Sequence, residues 1–157
     1  MGLPTSEKNT VTVGLQRAQR DFPAAKAALW AGNTVGIGQD DGMLKHLSGS
    51  VTPRGIFAGP SIDYTADTAY AAGGATAQVL YESAWLSNST VNTVSGSHVG
   101  QLCFAETTTN TYTVGMSGVG FEIMGRVEKV DATKGVLVNF DLNTPVSASS
   151  ITTVYTR

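Results

Sequence analysis

FEIMGRVEKVDATKGVLVNFDL, residues 121–142, contains two apolar-rich runs on either side of Asp131-Ala132-Thr133-Lys134-Gly135. A break of five residues that ends in glycine, set between β-prone runs, predicts a hairpin. With a period of two, Ile123, Gly125, Val127 and Lys129 fall on one face, and Val136, Val138 and Phe140 return along the partner strand. Nothing near this segment gathers an acid, a base and a nucleophile. The hairpin is scaffold, and it sets the fold class as all-β.

The rest of the chain is punctuated in the same way. Val11, Val13 and Leu15 alternate with Thr12, Gly14 and Gln16, a short strand behind the polar leader Met1–Thr10. The window LQRAQRDFPAAKAALWAGNTVGIG, 15–38, reads two ways. In one, Asp21 caps a helix that carries Pro23 in its first turn and stops at Gly32. In the other, Ala27, Leu29 and Trp30 lead into a strand interrupted by Ala-Gly-Asn, since so short an Ala-rich window is marginal as a helix. Asp41-Gly42 predicts a turn between VGIG and MLKHL. GIFAG, 55–59, TAQVLYESAWL, 76–86, QLCFAE and TYTVG are further strand candidates. In the second of these, Val79, Tyr81 and Trp85 share a face opposite Gln78 and Glu82. DYTADTAYAAGGA, 63–75, predicts a loop or a single weak helical turn, and Ile151–Tyr155 is a last β-prone run.

Many short strands separated by Gly turns argue for a compact barrel or sandwich of short antiparallel strands. The organisation expected is an extended N-terminal arm, 1–16, a β-rich body, 17–142, and a C-terminal tail strand, 143–157.

Composition narrows the function classes. The chain has 157 residues, enough for one domain with its own core. Charged residues are 14% of it, against about 25% in an average soluble protein. The formal charge is −2, with no basic cluster to neutralise phosphates, which argues against a nucleic-acid partner. No apolar run approaches the ~18 residues of a membrane span. The N-terminus has no charged region followed by an apolar one, so no signal peptide is predicted. MGLPTS fits only the loose myristoylation pattern.

No pattern in the sequence predicts a site of chemistry. Cys103 is the one cysteine, in the apolar setting GQLCFAE, and reads as a small buried hydrophobe. His98, five residues away, lies in a Ser/Gly-rich turn. Gly36 and Gly38 have the spacing of a dinucleotide fingerprint, but position 41 is Asp and no helix follows. Asp40 and Asp41 lack the further oxygen ligands of a calcium loop. His46 has no zinc-ligand spacing to His98. Asn88-Ser89-Thr90 is a formal glycosylation sequon without a secretory context. The remaining acids are scattered and read as solvated surface charge. No cofactor, metal or catalytic residue is predicted.

Four stretches, in order, resemble the capsid decoration (structural cement) proteins of tailed bacteriophages. They are DFPAAKAALWAGNTVGIG, TPRGIFAG, HVGQLCFAETTTNTYTV and IMGRVEKVDATKGVLVNF, which together span most of residues 21–140. Glu106-Thr107-Thr108 stands where the family often carries an acidic pair, and the tail beyond Leu142 is longer than the family pattern. The resemblance favours strand over helix for 24–38. It implies a non-enzymatic protein on the capsid exterior of a virion, made in the bacterial host cytoplasm, whose partner is the major capsid protein.

Such a role calls for a β body with extended segments that add strands to neighbours. The arm and its flank are therefore the expected capsid-binding residues: Thr10, Val11, Thr12, Val13, Leu15, Arg17, Arg20 and Phe22. Self-association as a closed dimer or trimer would add avidity. Two other classes fit the composition: a different virion component, such as a tail or fibre-base piece, and a small β-barrel hydrolase using Cys103 or the scattered carboxylates.

Overall fold

The computed structural model describes residues 6–8, 10–13, 19–48, 51–81, 83–106, 113–116 and 123–140. Within them the regular structure is β, apart from one 3₁₀ turn at Gly96–His98. The strands are β1 (Thr12–Val13), β2 (Gln19–Pro23), β3 (Ala28–Leu29), β4 (Thr34–Gly38), β5 (Leu44–His46), β6 (Val51–Phe57), β7 (Ile62–Asp63), β8 (Thr76–Leu80), β9 (Ser83–Asn88), β10 (Leu102–Ala105), β11 (Thr113–Gly115), β12 (Ile123–Asp131) and β13 (Gly135–Asn139).

The hairpin β12–β13 forms as its sequence predicts. Asp131 pairs with Gly135, and the Asp131 carboxylate accepts the N–H groups of Thr133 and Lys134 at 2.8 Å each. This side-chain-to-backbone turn satisfies donors that the ladder leaves over. From the hairpin the sheet continues through β10 and β11 to β9, and β9 pairs with β13. The five strands close into a barrel. All its pairings are antiparallel except β9 with β11, which run parallel. β1 pairs with the stretch of β9 that β11 leaves open.

A second sheet has the order β2-β8-β6-β4-β5 and is antiparallel throughout. It curls so far that Ala24, just past β2, bridges Leu44 of β5. β3 and β7 form a small separate ladder. The predicted turn at Asp41-Gly42 joins β4 to β5, with the Asp41 carboxylate accepting the Met43 N–H and the Lys45 ammonium.

The barrel interior holds Ala84, Leu86, Cys103, Val114, Met124, Val127, Val136, Val138 and Phe140, joined by Val51 and Ile56 from the second sheet and by Leu47, just past β5. The second sheet wraps Ala24, Leu29, Val35, Leu44, Phe57, Ala77 and Val79. Adjacent residues of β6, Ile56 and Phe57, thus enter different cores, and β6 is the wall that the two cores share. Burying Phe57 alone contributes about 1.5–3 kcal/mol.

Two expectations are corrected. TAQVLYESAWL is not one strand: β8 ends at Leu80, β9 begins at Ser83, and the two belong to different sheets. Val79 accordingly packs in the second core, while Tyr81 packs against the first. Ile123 does not share the face of Val127. Register shifts between Cys103 and Phe104 and between Val127 and Lys129 break the alternation. Met124 and Val127 point into the barrel, and Ile123 joins Leu102 and Phe104 in a cluster of their own. The window 24–38 contains β3 and β4 and no helix, in keeping with the strand reading. The expected tail strand, 143–157, lies outside the described residues.

Candidate functional site

The arm lies against the body in a seat made by the turn Trp30–Asn33. Gly32 has φ +78°, a left-handed conformation that suits glycine, and its N–H donates to the Phe57 carbonyl at 3.0 Å. The Phe57 N–H returns a bond to the Asn33 carbonyl at 2.9 Å, so the turn is fastened to the end of β6. Asn33 is 1% exposed, and its side-chain amide donates to the Trp30 carbonyl at 3.2 Å and to the Ser6 carbonyl at 2.8 Å.

Further contacts follow the arm outward. The Lys8 N–H donates to the Ala31 carbonyl at 2.8 Å, and the Thr10 hydroxyl donates to the Gly32 carbonyl. Ser61 accepts the Ala31 N–H at 3.0 Å and donates its hydroxyl to the Glu7 carboxylate. Gly32 also clears the path of the arm, because a Cβ there would stand 1.7 Å from the Lys8 carbonyl oxygen. The arm then becomes β1: the Trp85 N–H donates to the Val11 carbonyl at 3.0 Å, Thr12 faces Ala84, and Val13 faces Ser83.

Of the expected binding residues, Thr10, Val11, Thr12 and Val13 therefore lie in one line over the turn and β9. Val11 is 59% exposed. Arg20 and Phe22 sit apart from them on β2 of the second sheet. The Arg20 guanidinium lies 5.3 Å from the centre of the Tyr81 ring, and Phe22 packs against the second core. Leu15 and Arg17 lie outside the described residues. The seat itself, Ala31 to Asn33 with Ser61, was not predicted. Its sequence signal is the Gly-Asn pair, which read only as an interruption of a strand.

Groups with chemical potential are held in structural roles. Cys103 is fully buried inside the barrel with its thiol 3.6 Å from the Gly125 carbonyl, and burial pushes its pKa up to about 12. His46 is buried in β5, where its Nε2 accepts the Trp30 N–H at 3.0 Å. Burial lowers its pKa, and the Thr34 backbone opposes that shift in part. His98 folds back on its own turn, with Nδ1 accepting the Ser95 N–H at 2.9 Å. The Asn88 amide of the sequon clamps its loop, donating to the Val94 carbonyl at 2.8 Å and accepting the Val94 N–H at 2.9 Å.

Asp41 has a lowered pKa, first through its bond from Lys45 and then through the Met43 N–H. Among the described residues no group of three or more His, Cys, Asp and Glu is placed to hold a metal ion. An open cleft of about 360 Å³ beside β8 is lined by Asp21, Phe57, Pro60, Ile62, Thr76 and Gln78, with Asp21 its one ionisable group. The arm in its seat, with Ser6, Lys8 and Thr10 on the turn and Thr12–Val13 on β9, is the candidate site. Comparison with protein-family models, with curated proteins and with solved structures finds no match to this chain.

Proposed function

We propose that this chain is a non-enzymatic decoration protein of a tailed-phage head, attached to the outer surface of the major capsid protein lattice and opposing separation of the shell subunits. The observation that carries the reading is the arm, which forms an added strand, Thr12–Val13, on a β body. An extended segment able to pair its backbone with a strand edge is the equipment a surface-binding clamp needs. The order of the four segments between residues 21 and 140 supplies the phage assignment. In this reading the protein works as a small closed oligomer, a dimer or trimer, with neither nucleic acid nor membrane as partner, and modest contacts add up through avidity.

Co-sedimentation with expanded, undecorated phage heads, with tails as control, tests the proposal. Saturable binding to heads at a fixed ratio to the shell protein is expected. Binding to tails alone, or to neither, overturns it.

A further inference from the structure

β9 is unevenly covered. β13 lies along one side of it, facing Ala84, Trp85 and Leu86. On the other side β11 reaches only Ser87 and Asn88. The remaining stretch, Ser83–Trp85, is an open edge in the barrel seam that the arm covers. The seat continues from this edge to the Ala31 and Gly32 carbonyls, the buried Asn33 amide and the Ser61 hydroxyl.

We propose that this seat is a receptor for an extended segment, and that its occupant in trans is the arm of a second copy of this chain, so that two copies exchange arms. The body offers mostly main-chain groups, which recognise an extended backbone wherever it originates. The remaining contacts choose this arm in particular. Glu7 brings a carboxylate to Ser61, Thr10 brings a hydroxyl to the Gly32 carbonyl, and the Lys8 carbonyl fills the space where Gly32 has no Cβ. A second copy supplies the same groups in the same order.

Exchange also leaves no edge bare. A lone departing arm would uncover the β9 edge, which invites pairing with other chains. A reciprocal pair fills both seats and closes on itself as a two-fold dimer. Held in cis, an arm sees its own seat at an effective concentration on the order of mM. Exchange therefore rises as the concentration of the chain approaches that value. The inference concerns the arm and its seat alone and does not depend on the capsid reading.

The test uses full-length Glu7→Cys and Ser61→Cys variants, mixed in equal amounts and treated with a short bismaleimide. The native Cys103 is buried and stays silent. Cross-linked heterodimer is expected several-fold above a mixture of Glu7→Cys with Thr93→Cys, an exposed position beyond the other end of β9. Its yield should climb between about 10 µM and about 1 mM chain. Adding Gly32→Ala to the Ser61→Cys partner should remove it, because the new methyl occupies the path of the Lys8 carbonyl.

A heterodimer yield no higher than the Thr93 control overturns the proposal if the double variant Glu7→Cys/Ser61→Cys closes within one chain. If the double variant fails to close as well, the seat does not hold the arm, and the proposal falls for that reason instead.

Discussion

Gly42 and Gly135 have similar backbone conformations and opposite surroundings, which makes them a matched pair. Their φ angles are +69° and +98°. A Cβ on Gly42 meets nothing within 4 Å, whereas one on Gly135 would stand 2.2 Å from the Leu86 carbonyl oxygen of β9. Gly42→Ala therefore measures the backbone cost nearly alone. That cost is about 1–2 kcal/mol for a left-handed residue, offset by about 0.4–1 kcal/mol from the stiffer unfolded chain. The net loss is about 1 kcal/mol. Gly135→Ala carries the same cost and must also push β9 away from β13, an overpacking penalty of about 1–3 kcal/mol. Its loss should reach about 2–4 kcal/mol. In urea, with a slope of about 1–3 kcal/mol per molar, the two midpoints should separate by about 1 M. Equal midpoints would mean that β9 does not press on Gly135, and the closure of the barrel through β9 and β13 would be refuted.

Two further outcomes follow from buried groups. His46 has a folded pKa below its ordinary value because burial disfavours the imidazolium. The unfolded chain then binds the extra proton first, so the contribution of His46 is complete above about pH 6.5 and is lost as the pH falls below it. The slope is at most about 1.4 kcal/mol per pH unit. His46→Gln keeps an acceptor for the Trp30 N–H, and urea titrations between pH 7 and 5 should show a flatter dependence for it than for the parent. Cys103, with a pKa of about 12, holds about a thousandfold less thiolate at neutral pH than a free thiol. Modification by a thiol reagent should be negligible in the native state and should rise in step with unfolding across a urea series. Fast native labelling would contradict its place inside the barrel.

The β12–β13 hairpin was legible because its information is local. Asp131, the turn residues and Gly135 supply the loop chemistry, and Val136, Val138 and Phe140 keep strict alternation into the core. The turn at Asp41-Gly42 was legible for the same reason. The face of Ile123 was not, because Met124 is an extra residue of β12 opposite β10, and this bulge, which arises from pairing with a strand some twenty residues earlier, changes the phase of the alternation. The change of sheet between Leu80 and Ser83 has no local marker either, since both flanking segments are equally β-prone. At the site, the alternation of Val11 and Val13 exposed the strand tendency of the arm. Its seat stayed hidden because two of its acceptors are the main-chain carbonyls of Ala31 and Gly32, which leave no trace in residue identity, and because the Gly-Asn pair and Ser61 are brought together only by the fold.

The two sheets are joined in three physically different ways. β6 places Ile56 in one core and Phe57 in the other, and the chain passes directly from β8 to β9. These two links are apolar and covalent, and breaking the first means opening both cores. The third link is the arm, whose Ser6, Lys8 and Thr10 contact the turn fastened to β6 while Val11–Val13 rests on β9. It is held by hydrogen bonds near the surface, each contributing about 0.5–1.5 kcal/mol net. Local opening should therefore release the arm at a free energy well below that of global unfolding. Any outside partner that captures the arm leaves the Asn33 amide and the β9 edge to solvent, and the affinity it gains is reduced by that loss. A second copy restores the contacts that it removes, so exchange between copies would be opposed by the cost of association and not by bare polar groups.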